Sequence, residues 1–234
     1  RIEKEIVSSL RRLGTDYIDI YFVHWPDPLV SFKETAETMK NLLTAGKIRA
    51  IGVSNYSPEQ ISAFQKAAPI HVGQPPYNIF ERDIEAHVKP HCYHNGIALM
   101  TYGALCRGLL SGKMSEKREF KGDDLRQMDP KFQQPRFGQY LKAATRLEQF
   151  ARKEYGKSLL ALAVRWILDH EVETALWGAR RPDQMDPVGE VVGWHLDEDG
   201  KNRIDAILAE TVEDPVGPEF MAPPDRENHR VFAV

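Results

Sequence analysis

Short apolar runs and helix-forming stretches take turns along this chain, and that alternation constrains the fold more than any other feature. Ile18 to His24 is a continuous β-rich run, too short for a helix and bounded by Thr15, Asp16 and Pro26, so it reads as a buried strand. Ser31 to Ala45 has helix composition, with Ser31 as N-cap, Glu34 completing a capping box and Gly46 at the expected stop. The pattern repeats with Ile48 to Val53 as strand and Pro58 to Ala68 as helix, capped by Ser57 with Pro58 in the first turn. Val72 to Gln74 is a short strand, and a helix is predicted over Ile84 to Tyr93, ended by Gly96. Ile97 to Tyr102 is the next strand. After a long polar stretch come helices over Tyr140 to Tyr155 and Ser158 to His170, then a last strand, Thr174 to Trp177. The apolar face of Leu159, Leu160, Leu162, Val164, Trp166, Ile167 and Leu168 reads as packing. The chain opens on an amphipathic helix, Ile2, Ile6, Leu10 and Leu13, with no strand before it, so further chain is expected upstream of Arg1.

Strands that each lead into a helical segment imply a parallel sheet and an α/β fold. No G-x-G-x-x-G occurs, which removes the main signature of a doubly wound dinucleotide-binding sheet. A (β/α)8 TIM barrel is the better expectation, with about the last five β-α units present and residues 1–234 forming the C-terminal two-thirds of one domain. Such a barrel takes about 250 residues and builds its active site at the carboxyl ends of its strands. With 31 basic and 34 acidic residues and a net charge of −3, the chain has no basic field for a phosphate backbone, which argues against nucleic acid as a partner. Its most apolar stretches stop at Arg107 and Arg165, short of the roughly 18 residues of a membrane span. Two cysteines, Cys92 and Cys106, favour a reducing compartment, read as the cytoplasm. His87, His91 and His94 share a helical face with Cys92 beside them. Their spacing fits no zinc pattern and Pro90 is expected to interrupt the helix, so no metal is predicted.

In a barrel the informative residues follow the strands, and here they are His24, Ser54 and Asn55, Gln74, Tyr102 and Gly103, and Gly178 to Arg180. Each alone has an ordinary structural reading: a core histidine, a turn, a loop amide. Together they suit one chemistry. An imidazole can polarise a carbonyl, Asn and Gln amides can grip another amide, and an aromatic ring can stack on a flat heterocycle. A nicotinamide carboxamide beside a carbonyl substrate uses all of these.

The segments Val23-His24-Trp25-Pro26-Asp27, Gly46 to Asn55, Gln74-Pro75-Pro76-Tyr77-Asn78 and Tyr102 to Lys113 closely resemble the aldo-keto reductase superfamily, in order and spacing across nearly the whole chain. The resemblance implies NADP(H) bound in extended form on a TIM barrel and hydride transfer to an aldehyde or ketone. Of the family's catalytic Asp, Tyr, Lys and His, only the His maps here, to His24; the others are expected upstream. It further implies that Ser54, Asn55 and Gln74 hold the carboxamide and that Tyr102 stacks on the nicotinamide. Backbone groups of Gly103, Leu105, Cys106, Arg107 and Gly108 would wrap the pyrophosphate, with Arg107 and Lys113 supplying charge. Gly178 to Gln184 resembles the adenosine-phosphate segment, with Arg180 toward a 2′-phosphate and Gln184 near the adenine, which favours NADP. Pro187 and Val188 depart from the acidic residue and Asn that family members often carry there. Gly108 to Lys113 is not a P-loop, since three residues separate its glycines and Met114 follows the Lys.

Residues 113–140 form a long charged segment that reads as a cofactor-covering lid, with Arg126 reaching a phosphate, or as a solvated loop. Trp25 and Tyr56 either wall the substrate pocket or pack under a loop. Phe220 and Met221, in a tail over Pro215 to Pro224, are candidates to close over the barrel. The expected function is that of an NADP-dependent reductase acting on a small carbonyl substrate. The alternatives are an NADPH-binding auxiliary or sensor subunit with little turnover, and a barrel hydrolase or isomerase, which leaves Asn55, Gln74 and Tyr102 without a shared task.

Overall fold

A helix between two strands returns the chain to the end of the sheet it left, so successive strands run the same way. The computed structural model describes residues 1–223 and divides them into two units, Arg1–Pro75 with Ile84–Met100, and Pro76–Asp83 with Thr101–Pro223. Pro224, the end of the expected tail, lies outside the described residues.

The first unit carries α1 (Ile2–Leu13), β1 (Ile18–Val23), α2 (Phe32–Thr44), β2 (Ile48–Ser54), α3 (Pro58–Gln65), β3 (Val72–Gln74), α4 (Val88–His94) and β4 (Ala98–Thr101, its last residue counted with the second unit). The strands pair in parallel in chain order, with Val23 opposite Val53, Ser54 opposite Gln74 and Val72 opposite Ala98. Local signals fix the helix starts. Ser31 Oγ accepts the Glu34 N–H (3.2 Å), and Ser57 and Gln60 close a reciprocal capping box within which Pro58 takes the first helical position. Gly46 takes a φ of 69°, which lets the chain leave α2 and enter β2 across three residues. Ile6, Met39, Ile51 and Phe64 are fully buried and form this unit's core.

The helix predicted over Ile84 to Tyr93 is two pieces, a 3-10 turn at Asp83–Glu85 and α4 starting at Val88. Pro90 therefore falls in the first turn of α4, where its missing N–H costs nothing, and it does not interrupt the helix as expected. Among the described residues no group of three or more His, Cys, Asp or Glu is placed to hold a metal.

The second unit carries α5 (Arg136–Phe150), extended by a π-helical turn at Ala151–Tyr155, then α6 (Leu159–Leu168), β5 (Thr174–Ala175), α7 (Val188–Val191) and α8 (Glu198–Ala209). Ser158 caps α6, and every residue from Leu159 to Val164 is buried, as packing requires. β5 is shorter than predicted, and the Leu176 N–H donates to the Thr101 carbonyl (2.8 Å) just beyond it. Within residues 113–140 the later part is anchored rather than solvated. Asp129, Lys131 and Phe132 are buried, and Phe132 packs on Phe120 and Phe137 at ring separations of 5.2 and 5.6 Å. No described helix is long and apolar enough to cross a membrane.

Candidate active site

In the first unit the parallel register sets the site directly. Ser54 ends β2 opposite Gln74, which ends β3, and the Ser54 hydroxyl donates to the Gln74 carbonyl (2.8 Å). The next residue, Asn55, turns the chain with a φ of 63°, a left-handed conformation that Asn tolerates better than most side chains. Its Nδ2 donates to the His24 carbonyl (3.0 Å) and to Ser54 Oγ (3.1 Å). Three strand ends are thus tied together, and His24 leaves β1 exposed beside them. Trp25, next in the chain, is half-buried. Tyr56 is buried, edge-on to Phe32 and Phe64 at 5.6 and 6.2 Å, and burial pushes its hydroxyl far up. Its packing on Phe32 and Phe64 fits the second of its two expected roles, beneath a loop.

In the second unit, Tyr102 is half-buried, and burial with the Glu81 charge pushes its hydroxyl up to about 12. The backbone beyond it is unusual: Cys106, Arg107 and Gly108 take φ values of 43°, 52° and 103° in succession. Leu105 (φ −99°) ahead of Cys106 gives the right-handed then left-handed step whose N–H groups can face an anion. A Cβ on Gly108 would lie 3.2 Å from Met114 Cε and 4.0 Å from Arg126 Nη1, so both the crowding and the positive φ call for glycine.

What holds this loop is a buried charge cluster that sequence reasoning missed. Glu81 accepts hydrogen bonds from the Arg107 guanidinium, from Lys131 Nζ (2.9 Å) and from Asn78 Nδ2 (2.7 Å). Arg107 Nε donates to Asp129 (2.6 Å), Lys131 Nζ donates to the Gly217 carbonyl (2.6 Å), and Asn78 Nδ2 also reaches the Gly103 carbonyl (3.0 Å). Asn78, Glu81, Asp129 and Lys131 are each no more than 1% exposed. Burial alone would raise the Glu81 pKa, but Arg107 and Lys131 outweigh it and hold the carboxyl below the usual range. The Arg107 guanidinium, expected to supply charge to a ligand, is instead engaged by two buried carboxylates, with the Phe220 ring 4.9 Å away. A local signal existed at Asn78, whose side chain accepts the Phe80 and Glu81 N–H groups in an Asx-type turn (2.9 and 3.1 Å).

The remaining cations lie in the same unit. Lys113 is exposed, and its charge reaches Asp183, which pairs with Arg181 (3.0 Å). Arg180 is exposed, and Gln184 Oε1 accepts its N–H (2.6 Å) and that of Arg181 (3.1 Å), so this oxygen shapes the turn. Pro187 stands immediately ahead of α7, which starts at Val188.

Residues 1–209 match the family described as aldo/keto reductases. The chain belongs to this family. It is 58% identical to the aldo-keto reductase YhdN of Bacillus subtilis, over 97% of this chain and 69% of that protein. It is 34% identical to the NADH-specific methylglyoxal reductase of Escherichia coli, over 79% of this chain and 57% of that protein. Among solved structures, the glycerol dehydrogenase of Gluconobacter oxydans matches with a TM-score of 0.87 and 49% identity, covering 95% of this chain and 68% of the other.

The aldo/keto reductase fold is the (β/α)8 barrel, and this chain carries about five of its units. The family uses nicotinamide cofactors, and the donors found here suit one. Side-chain amides at Asn55 and Gln74 match a carboxamide. The left-handed backbone at Cys106 to Gly108, with Arg126 beside Gly108, is of the kind whose N–H groups can face a phosphate.

Proposed function

We propose that this aldo/keto reductase chain serves the reversible, NADP(H)-dependent reduction of small aldehydes and ketones to alcohols in the cytoplasm. The observation that carries the reading is the joining of Ser54, Asn55 and Gln74 at paired strand ends beside His24. Bound NADPH supplies the hydride. Asn55 and Gln74, steadied by Ser54, hold the carboxamide, and Tyr102 covers the ring. Gly103, Leu105, Cys106 and Gly108 offer backbone groups to the pyrophosphate, while Arg107 fixes that loop from beneath through Glu81 and Asp129. Lys113 and Arg126 add charge, Arg180 takes the 2′-phosphate and Gln184 shapes the turn near the adenine. His24 orients the substrate carbonyl, with Trp25 alongside. The proton donor is a Tyr, supported by Asp and Lys, that the reading places outside residues 1–234.

The alternative reading is a nucleotide-binding auxiliary subunit with little turnover. Titration of the intact protein with NADPH, followed by Trp fluorescence, and turnover of a simple aldehyde separate the two. Saturable binding with turnover supports the reductase, binding alone supports the auxiliary subunit, and no binding overturns both. The Escherichia coli relative is NADH-specific, so cofactor choice needs its own test. Arg180→Ala is expected to weaken NADPH binding far more than NADH binding, and equal losses would refute the 2′-phosphate assignment.

A further inference from the structure

Arg126, the cation nearest the side on which a Gly108 Cβ would stand, already holds an anion. Its Nε donates to Asp124 Oδ1 (2.8 Å), its Nη2 donates to Asp124 Oδ2, and its backbone N–H donates to Asp124 Oδ1 (3.1 Å). The guanidinium also stacks on the Phe120 ring at 4.5 Å, and its Nη1 lies 4.0 Å from where a Gly108 Cβ would stand. Asp124 and Arg126 are 20% and 16% exposed, so water screens the pair only in part. Hydrogen bonds from Arg126, with a further contribution from Arg180, push the Asp124 carboxyl down to about 2, so it is an anion at every working pH.

A two-point guanidinium–carboxylate pair uses the same planar fork that binds a phosphate oxygen pair. The phosphate-binding loop thus has a competing anion built in at its cationic neighbour. We propose that Asp124 is an internal stand-in for the cofactor's diphosphate: it occupies Arg126 in the free protein, must yield Arg126 when the nucleotide binds, and so sets how tightly the nucleotide is held. This rests on the proposed nicotinamide-nucleotide reading, and it assigns Asp124 a binding-tuning role that no step of the reduction requires. The class of ligand is a nucleoside diphosphate moiety, shared by NADPH, NADH and ADP. Because Arg180 also acts on the Asp124 charge, comparing NADPH with ADP and pyrophosphate separates an effect at the diphosphate from one at the 2′-phosphate.

The test is a double-mutant cycle on the intact protein, read by isothermal titration with ADP, inorganic pyrophosphate and NADPH. Asp124→Asn keeps an oxygen that can cap the 3-10 turn at Leu125–Gln127 while removing the charge. It is expected to tighten ADP and NADPH about two- to fivefold, the size of a partly exposed charge pair, and to slow NADPH dissociation correspondingly. In an Arg126→Met background the same substitution is expected to change affinity little. Unchanged or weaker binding by Asp124→Asn overturns the proposal, because Asp124 would then be supporting Arg126. An equal gain without Arg126 also overturns it, by reducing the effect to net charge. Tighter ADP and pyrophosphate with no NADPH binding by any variant would support the stand-in role while refuting the nicotinamide reading. Binding of none of the three probes by the unsubstituted protein overturns both.

Discussion

The turn after β2 and the loop after β4 both leave a parallel strand and both carry candidate cofactor contacts, yet they are secured by different forces. Around Ser54, Asn55 and Gln74 the ties are neutral: a hydroxyl and an amide each donate to a carbonyl, and the amide also donates to the hydroxyl oxygen. Around Arg107 they are ionic and buried: two carboxylates and two cations drawn from residues 81, 107, 129 and 131. The first arrangement costs little desolvation and depends on strand register. The second fixes an otherwise strained left-handed backbone but makes it depend on every charge having its partner.

The sharpest way to break this contrast is Lys131→Met. It leaves Glu81 and Asp129 sharing Arg107, and it should cost about 3–5 kcal/mol, read as a lowered urea midpoint. A loss below about 1 kcal/mol would show that the cluster is not what secures the loop.

Acid should discriminate next. The Glu81 carboxyl is held below its ordinary range, so its contribution to stability is full above the unfolded-state pKa. That contribution fades as pH falls through the depressed folded value. Glu81→Gln should therefore flatten the acid limb of the stability profile, whereas Ser54→Ala should leave the limb's shape unchanged.

Smaller effects separate backbone from amide at Asn55. Asn55→Ala should destabilise by about 1–2 kcal/mol more than Asn55→Gly, because glycine accepts the positive φ. Both should weaken nucleotide binding by similar factors, because both lose the amide. If Asn55→Gly binds nucleotide like the unsubstituted protein, the carboxamide role falls. Ser54→Ala should cost about 1 kcal/mol of stability, the worth of one buried hydrogen bond, checked by thermal unfolding.

The same contrast explains how much was legible beforehand. Strands, caps and stops are local in sequence: Ser31, Ser57 and Ser158 start helices, and Gly46 ends one, as read from the chain alone. The closeness of Ser54, Asn55 and Gln74 was legible too, because each lies at or just after the end of a strand. The charge cluster was not, since its members come from segments separated by tens of residues. Asp129 and Lys131 also sit in a charged stretch whose composition reads as solvated. Hydrophobic periodicity has no means of announcing that a lysine is inside. α8 was missed although Asp197 caps it and Ile204 and Ile207 sit three apart on its buried face, because its first half is polar. At Tyr56 the residue type fits both a pocket wall and a packed core, and its contacts with Phe32 and Phe64 come from residues 24 and 8 positions away.

The proposed function requires that nicotinamide cofactor binding be felt at both the strand-end amides and the charge-secured loop. Hydrogen–deuterium exchange of the intact protein with and without saturating NADPH tests it directly. The account predicts slowed exchange in both the 54–56 and 102–110 segments. Slowed exchange in one of them alone, or in neither, would contradict it.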